Sequence, residues 1–201
     1  MERVLLGIDV SDWQDTVDWP DHAKAGVAFA FARASEGLDG TDKRFARNWD
    51  GMRESRLVRG AYHVARPAGD PVEQARHFAA VIRSAGGLSP GDLVALFLEA
   101  DDGLRPEQVA RHARRWCHQV ERHLGVRPFV HTYHAFAGGG NCAGLADHPL
   151  WIAGPDRPRG RPAVPRPWRA WAIHQYANSP IDLDLFPGSR EELASLGFHP
   201  R

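Results

Sequence analysis

The stretch Asp92–Asp102, DLVALFLEADD, decides how the chain is read. Its first half is apolar and β-prone, and it ends in a cluster of carboxylates. Side chains alternate across a strand, so Ala95, Phe97 and Glu99 share one face and Leu96 and Leu98 the other. A buried strand that carries acid to its C-terminal tip suits a β/α barrel, whose chemistry lies at that end. For a lone acid the plainer reading is a solvated strand end. Glu99 is not alone.

Upstream, Val4–Val10 reads as a buried strand with Asp9 near its end. Asp18–Ala25 is a short helix capped by Asp18, and Val27–Arg33 is a strand with Glu36 at its tip. Asp42–Ser55 has helical spacing, and Leu57–Val64 is a third strand placing Tyr62 and His63 near its end. Pro71–Ser84 is the helix before the opening strand. Downstream, Pro106–Leu124 is the longest helix, with Val109, Trp116, Val120 and Leu124 on one stripe. Arg127–Thr132 is a strand followed by Tyr133 and His134. Ala137–Gly144 is glycine-rich without a nucleotide-binding context and reads as a loop. Three short strands follow, Leu150–Ala153 with Trp151, Trp171–Tyr176 with Gln175, and Ile181–Phe186 with Asp182. Glu191–Leu196 is a terminal helix.

Alternating strands and helices imply a parallel sheet, and eight strands imply closure. The last third is too short for full βα units. The expected fold is therefore α/β, a small (β/α) barrel of five units followed by three short strands, one domain over residues 1–201. With 25 Lys plus Arg against 25 Asp plus Glu, no bulk charge points to nucleic acid or a membrane. The basic, proline-rich run Arg157–Arg169 reads as a solvated loop. Cys117 and Cys142 are expected to be free thiols, and no cysteine–histidine spacing matches a zinc site. The apolar run in MERVLLGIDVSDW is too short for a signal peptide, and no window is long enough to span a bilayer. A monomer without metal or cofactor is expected.

The strand ends collect Asp9, Glu36, Tyr62, His63, Glu99, His131, Tyr133, Trp151, Gln175, Tyr176 and Asp182. Carboxylates beside tyrosine and tryptophan suit carbohydrate: acids move protons and stabilise an oxocarbenium-like centre, and flat rings stack on sugar faces.

These residues carry a resemblance. GIDVSDWQ at 7–14, FARASEG at 31–37, GAYHVARP at 60–67, PFVHTYHAF at 128–136, WAIHQY at 171–176 and IDLDLF at 181–186 resemble glycoside hydrolase family 25, the Chalaropsis-type lysozymes. The resemblance implies cleavage of the β-1,4 bond between N-acetylmuramic acid and N-acetylglucosamine in peptidoglycan. It implies that Glu99 is the general acid, with Asp9 and Asp182 completing the catalytic carboxylates. Glu36, Tyr62, His63, His131, Tyr133, Trp151, Gln175 and Tyr176 are the expected substrate-binding set.

One departure bears on activity. The family pattern on the fourth strand of the barrel is L-D-x-E, and this chain has Leu96-Phe97-Leu98-Glu99. Phe97 stands where the family has a catalytic aspartate, and it can neither accept a hydrogen bond nor carry charge. His131 stands where tyrosine is usual. Three readings stay open: a muramidase in which Asp9, Asp182, Asp101 or Glu36 covers for the missing acid, a glycan-binding module that does not cut, and a deliberate inactivating substitution.

Overall fold

The structure is a computed structural model and describes residues 4–200. Its centre is a closed eight-stranded mixed barrel. In chain order the elements are β1 (Leu5–Val10), α1 (Trp19–Lys24), β2 (Val27–Glu36), β3 (Gly40–Thr41), α2 (Phe45–Glu54), β4 (Val58–Val64), α3 (Pro71–Ser84), β5 (Leu93–Phe97), α4 (Pro106–Leu124) and β6 (Phe129–Tyr133). Then come α5 (His134–Phe136), β7 (Leu150–Ala153), β8 (Ile173–Asn178), β9 (Asp182–Phe186) and α6 (Arg190–Ser195). The strand order is β1-β9-β8-β7-β6-β5-β4-β2, and β1 pairing with β2 closes the ring. β9 runs antiparallel to both neighbours, and the other barrel pairings are parallel. The two-residue β3 folds back on the end of β2, which extends to Glu36 rather than stopping at Arg33.

Alternation along the strands sorts side chains into two cores. Phe29, Phe31, Tyr62, Phe97, Phe129, Trp151, Ile173 and Phe186 fill the barrel. Ile8, Val10, Ala30, Ala61, Leu96, Leu98 and Val130 face outward and meet Trp49, Phe78, Val109, Trp116 and Val120 of the helices. Two interior glycines make room for this aromatic filling. A Cβ at Gly7 would fall inside the Phe29 ring, and one at Gly60 inside the Phe31 ring.

Local signals set the helices. Asp18 accepts from the Asp21 backbone N–H, and Asp70 accepts from Val72 and Glu73 ahead of Pro71. Gly125, at φ 70°, ends α4 in the left-handed cap that glycine adopts without strain. On the outer wall the guanidinium of Arg59 is buried against Asp92, at 2.9 Å, and lies over the Trp49 ring.

Two expectations need correction. Ala137–Gly144 is not simply a loop: Ala137–Asn141 forms a helical turn continuing α5, broken at Gly140 where φ is 93°. The opening strand is regular only over Leu93–Phe97, because Leu98 is the last residue held by the neighbouring strand, its N–H donating to His131 O at 2.9 Å. After β6 the chain makes only short helical turns before β7, so that unit lacks a full helix.

Candidate active site

Antiparallel β9 begins at the barrel end where the parallel strands finish, pairing Asp182 with Asp9 and Asp184 with Gly7. Asp9, Asp182 and Asp184 thereby meet on the inner face, with Glu99 and His131 beside them. Gln175 of β8 donates to Asp9 Oδ2 at 2.8 Å, and Trp151 of β7 donates to Asp184 Oδ1 at 2.8 Å. Burial holds Asp9 well above the usual carboxylate range, helped by the charges of Asp184 and Asp182. Burial raises Asp184 in the same way, the Asp182 charge adds to it, and its Oδ2 is buried without a hydrogen-bond partner. Buried carboxyls that feel one another's charge cannot both ionise cheaply.

Glu99 and His131 form the second half of the site. Nδ1 of His131 is 3.3 Å from Glu99 Oε1, as an ion pair without the alignment of a good hydrogen bond. Burial pushes the Glu99 carboxyl up, but the His131 charge outweighs it and leaves Glu99 below its ordinary value. Burial pushes His131 down, but Glu99 and then Asp9 outweigh it and hold the imidazole above its ordinary value. The Glu99 side chain is 45% exposed and His131 only 2%, so the carboxyl faces the opening from above a buried imidazole. Asp182, partly exposed, is raised by burial; nearby His131 opposes that and Glu99 adds to it.

Phe97 lies in the middle of this floor. Its ring is stacked between Tyr62 and His131, at 3.9 Å from each and within 14° of parallel. Trp151 meets Phe97 and His131 edge-on from below.

Clefts flank the floor on opposite sides of the ring of strands. One, of about 700 Å³, is lined by Asp12, Trp13, Arg33, Glu36, Val64 and Arg66, with Trp13 85% exposed. Arg33 bridges Asp12, Glu36 and Asp42 there, and Arg66 holds Glu36. The other, of about 350 Å³, runs between Tyr133 and His134 on one side and Gly154–Arg157 on the other.

Of the residues expected in the site, Asp9, Glu99, Asp182, His131, Gln175, Tyr62 and Phe97 converge. Glu36 and Tyr133 line the flanking clefts. Trp151 is wholly buried and supports the floor through Asp184, so it offers no face to a sugar. His63 is not in the site. It is one residue after inward-facing Tyr62, so it points into the helix layer, bonded to Ser35 and Gln74 and stacked on Trp116. Tyr176 shares the outward face of His174, under the Arg159 guanidinium. Asp101 is spent on its own turn, accepting from the Gly103 N–H. Asp184 and Arg33 were not anticipated. The alternation in IDLDLF carried the signal for Asp184, since Asp182 and Asp184 must share a face. Nothing local marks Arg33, whose partners Asp12, Glu36 and Asp42 come from three different places in the chain.

The family model for glycosyl hydrolases family 25 matches residues 8–185. The chain belongs to glycosyl hydrolase family 25. It is 32% identical over 207 residues to the uncharacterized protein YegX of Escherichia coli K12, covering 94% of this chain and 72% of that protein. It is 30% identical over 220 residues to lysozyme M1 of Streptomyces globisporus, covering 96% and 71%. Among solved structures, the bacterial lysozyme from Streptomyces coelicolor superposes with a TM-score of 0.86 at 28% identity, covering 96% of each chain. The family GH25 lysozyme from Aspergillus fumigatus gives 0.88 at 25%, covering 98% of this chain and 100% of that one. This family 25 barrel thus shares its fold along nearly its whole length with glycoside hydrolases that include lysozymes. Among its described residues, no helix is long and apolar enough to cross a membrane.

Proposed function

We propose that this family 25 domain binds peptidoglycan across the barrel mouth and addresses the β-1,4 bond between N-acetylmuramic acid and N-acetylglucosamine, with hydrolysis slowed by Phe97. The carrying observation is the converging floor of Asp9, Glu99, Asp182 and Asp184 between two open clefts. Tyr133 and Trp13 supply exposed aromatic surface on either side of it. In this reading Glu99 addresses the glycosidic oxygen, and Asp9 and Asp182 provide negative charge for the developing oxocarbenium ion.

Two features weaken catalysis. Phe97 places an apolar ring among the acids where a charged or hydrogen-bonding group would stabilise the transition state. His131 keeps Glu99 ionised, whereas a general acid must hold a proton at working pH. The same ion pair favours a second reading, a glycan-binding module without turnover. No cofactor enters either reading, and a single copy of the chain carries the whole site.

Co-sedimentation with insoluble bacterial walls, run beside a wall-turbidity assay, tests both. Binding with slow clearance that Glu99→Gln abolishes supports the impaired muramidase. Binding with no clearance in the parent or in Phe97→Asp supports the module. Absence of binding overturns both.

A further inference from the structure

The floor has a charge and shape of its own, which bear on the sugar it accepts. Phe97 cannot swing aside: both its faces are covered at 3.9 Å and its edge rests against Trp151. It is 8% exposed, so what a ligand meets is the edge of a fixed ring. The charges open to solvent beside that edge are the Glu99 and Asp182 carboxyls. His131 lies 2% exposed beneath Glu99. The acceptors a ligand meets beside the ring edge are therefore carboxyl oxygens.

We infer that the sugar unit seated over Phe97 carries a free 2-amino group, so that the preferred glycan is de-N-acetylated at that unit. This rests on the glycan-binding reading above and specifies its substrate. An acetamido group needs room for its methyl beside the nitrogen, and a locked phenyl edge leaves none. An ammonium is compact, brings three N–H donors and finds Glu99 and Asp182 as acceptors. The apolar edge displaces water on one side of that contact and strengthens the pairing. Glu99, held ionised by His131, is the fixed anion, and Asp182 is the second acceptor on the facing strand.

The test is calorimetric titration of the full chain at mildly acidic pH with the tetramers of glucosamine and of N-acetylglucosamine, and with pentalysine as a cation that is not a sugar. The glucosamine tetramer is expected to bind at least about tenfold tighter than the acetylated one. Glu99→Gln should remove that preference, and Phe97→Ala should narrow it by admitting the acetyl group. Equal affinities, or tighter binding of the acetylated tetramer, would overturn this inference and leave the glycan reading intact. Pentalysine binding as tightly as the glucosamine tetramer would also overturn it, because charge alone would suffice. If neither saccharide binds at millimolar concentration, both readings fall. Glu99→Gln changes a half-exposed group, so its result does not depend on how well Phe97→Ala folds.

Discussion

His63 and His131 are both buried histidines on strands of one barrel, and their surroundings shift them in opposite directions. His63 faces the helices. Burial pushes its imidazole down to about 3, and its neighbours, Ser35, Gln74 and the Trp116 ring, bring no negative charge. His131 faces the interior, and the charges of Glu99 and then Asp9 overcome a similar burial to hold its imidazole above its ordinary value. Desolvation alone neutralises a buried histidine; a carboxylate at 3.3 Å reverses that outcome. The outer wall thus uses histidine as a neutral hydrogen-bonding strut, and the inner wall uses it to fix the charge of an exposed acid. The contrast predicts that inner-wall substitutions change function or the pH dependence of stability, and that the outer-wall substitution changes stability alone.

The largest expected effect is on the inner wall. Phe97→Asp introduces a charged acceptor two residues from Glu99. Wall clearance should rise on the order of 10²–10³-fold, the usual worth of one preorganised electrostatic group at a reacting centre. A rise confined to binding, with no change in clearance, would place the defect at the His131–Glu99 pair instead.

Next comes the outer wall. His63→Leu strands the Ser35 hydroxyl and the Gln74 side chain in a fully buried layer. It should cost about 2–3 kcal/mol, or roughly 5–10 °C in melting temperature. Saccharide affinity should not move. A shift in the pH profile of binding would mean that His63 communicates with the site, which the geometry denies.

His131→Gln sharpens the comparison through its pH dependence. A raised histidine contributes stability that is present below its ordinary value of 6.5 and lost as pH rises through the raised one. A lowered Glu99 contributes stability that is present above its ordinary 4.5 and lost as pH falls through the lowered one. The pair is therefore worth most between those two values. His131→Gln should destabilise by about 1 kcal/mol there, after screening of the half-exposed glutamate, and by little at pH 9. His63 has the opposite sign: its lowered value costs stability as pH falls from 6.5 towards about 3. Proton NMR titration of the two imidazoles, one silent from pH 5 to 8 and one titrating above 6.5, reads the contrast directly.

The smallest effect concerns the acid pair beneath the floor. Asp9 and Asp184 are both raised, so their contribution is present in acid and lost as pH rises. Asp184→Asn keeps an acceptor for Trp151 and offers Asp9 a donor. The variant should melt about 2–4 °C above the parent at pH 8, with the gap closing near pH 4. A variant that melts lower at every pH would show that the buried acid pair is not a source of strain.

Much of this was legible in the chain. Alternating strands and helices specified the barrel, and a period of two along DLVALFLEADD puts Phe97 and Glu99 on one face. The same period, applied to GAYHVARP, separates Tyr62 from His63. Grouping both by nearness to a strand end overlooked it. The acids near strand ends were local signals: Asp9, Glu99 and Asp182 converge, and Glu36 lines a flanking cleft. What the tertiary structure decided was charge and contact. Asp184 became a partner of Asp9 only because β9 runs antiparallel into the gap between β1 and β8. Phe97 became a locked floor only because Tyr62 and His131, on the neighbouring strands β4 and β6, cover its two faces. Glu99 became a held anion only because a buried imidazole sits beneath it. Periodicity is a property of consecutive residues and can be read from them. Ionisation depends on which distant groups share a low-dielectric space, and closure of the barrel sets that.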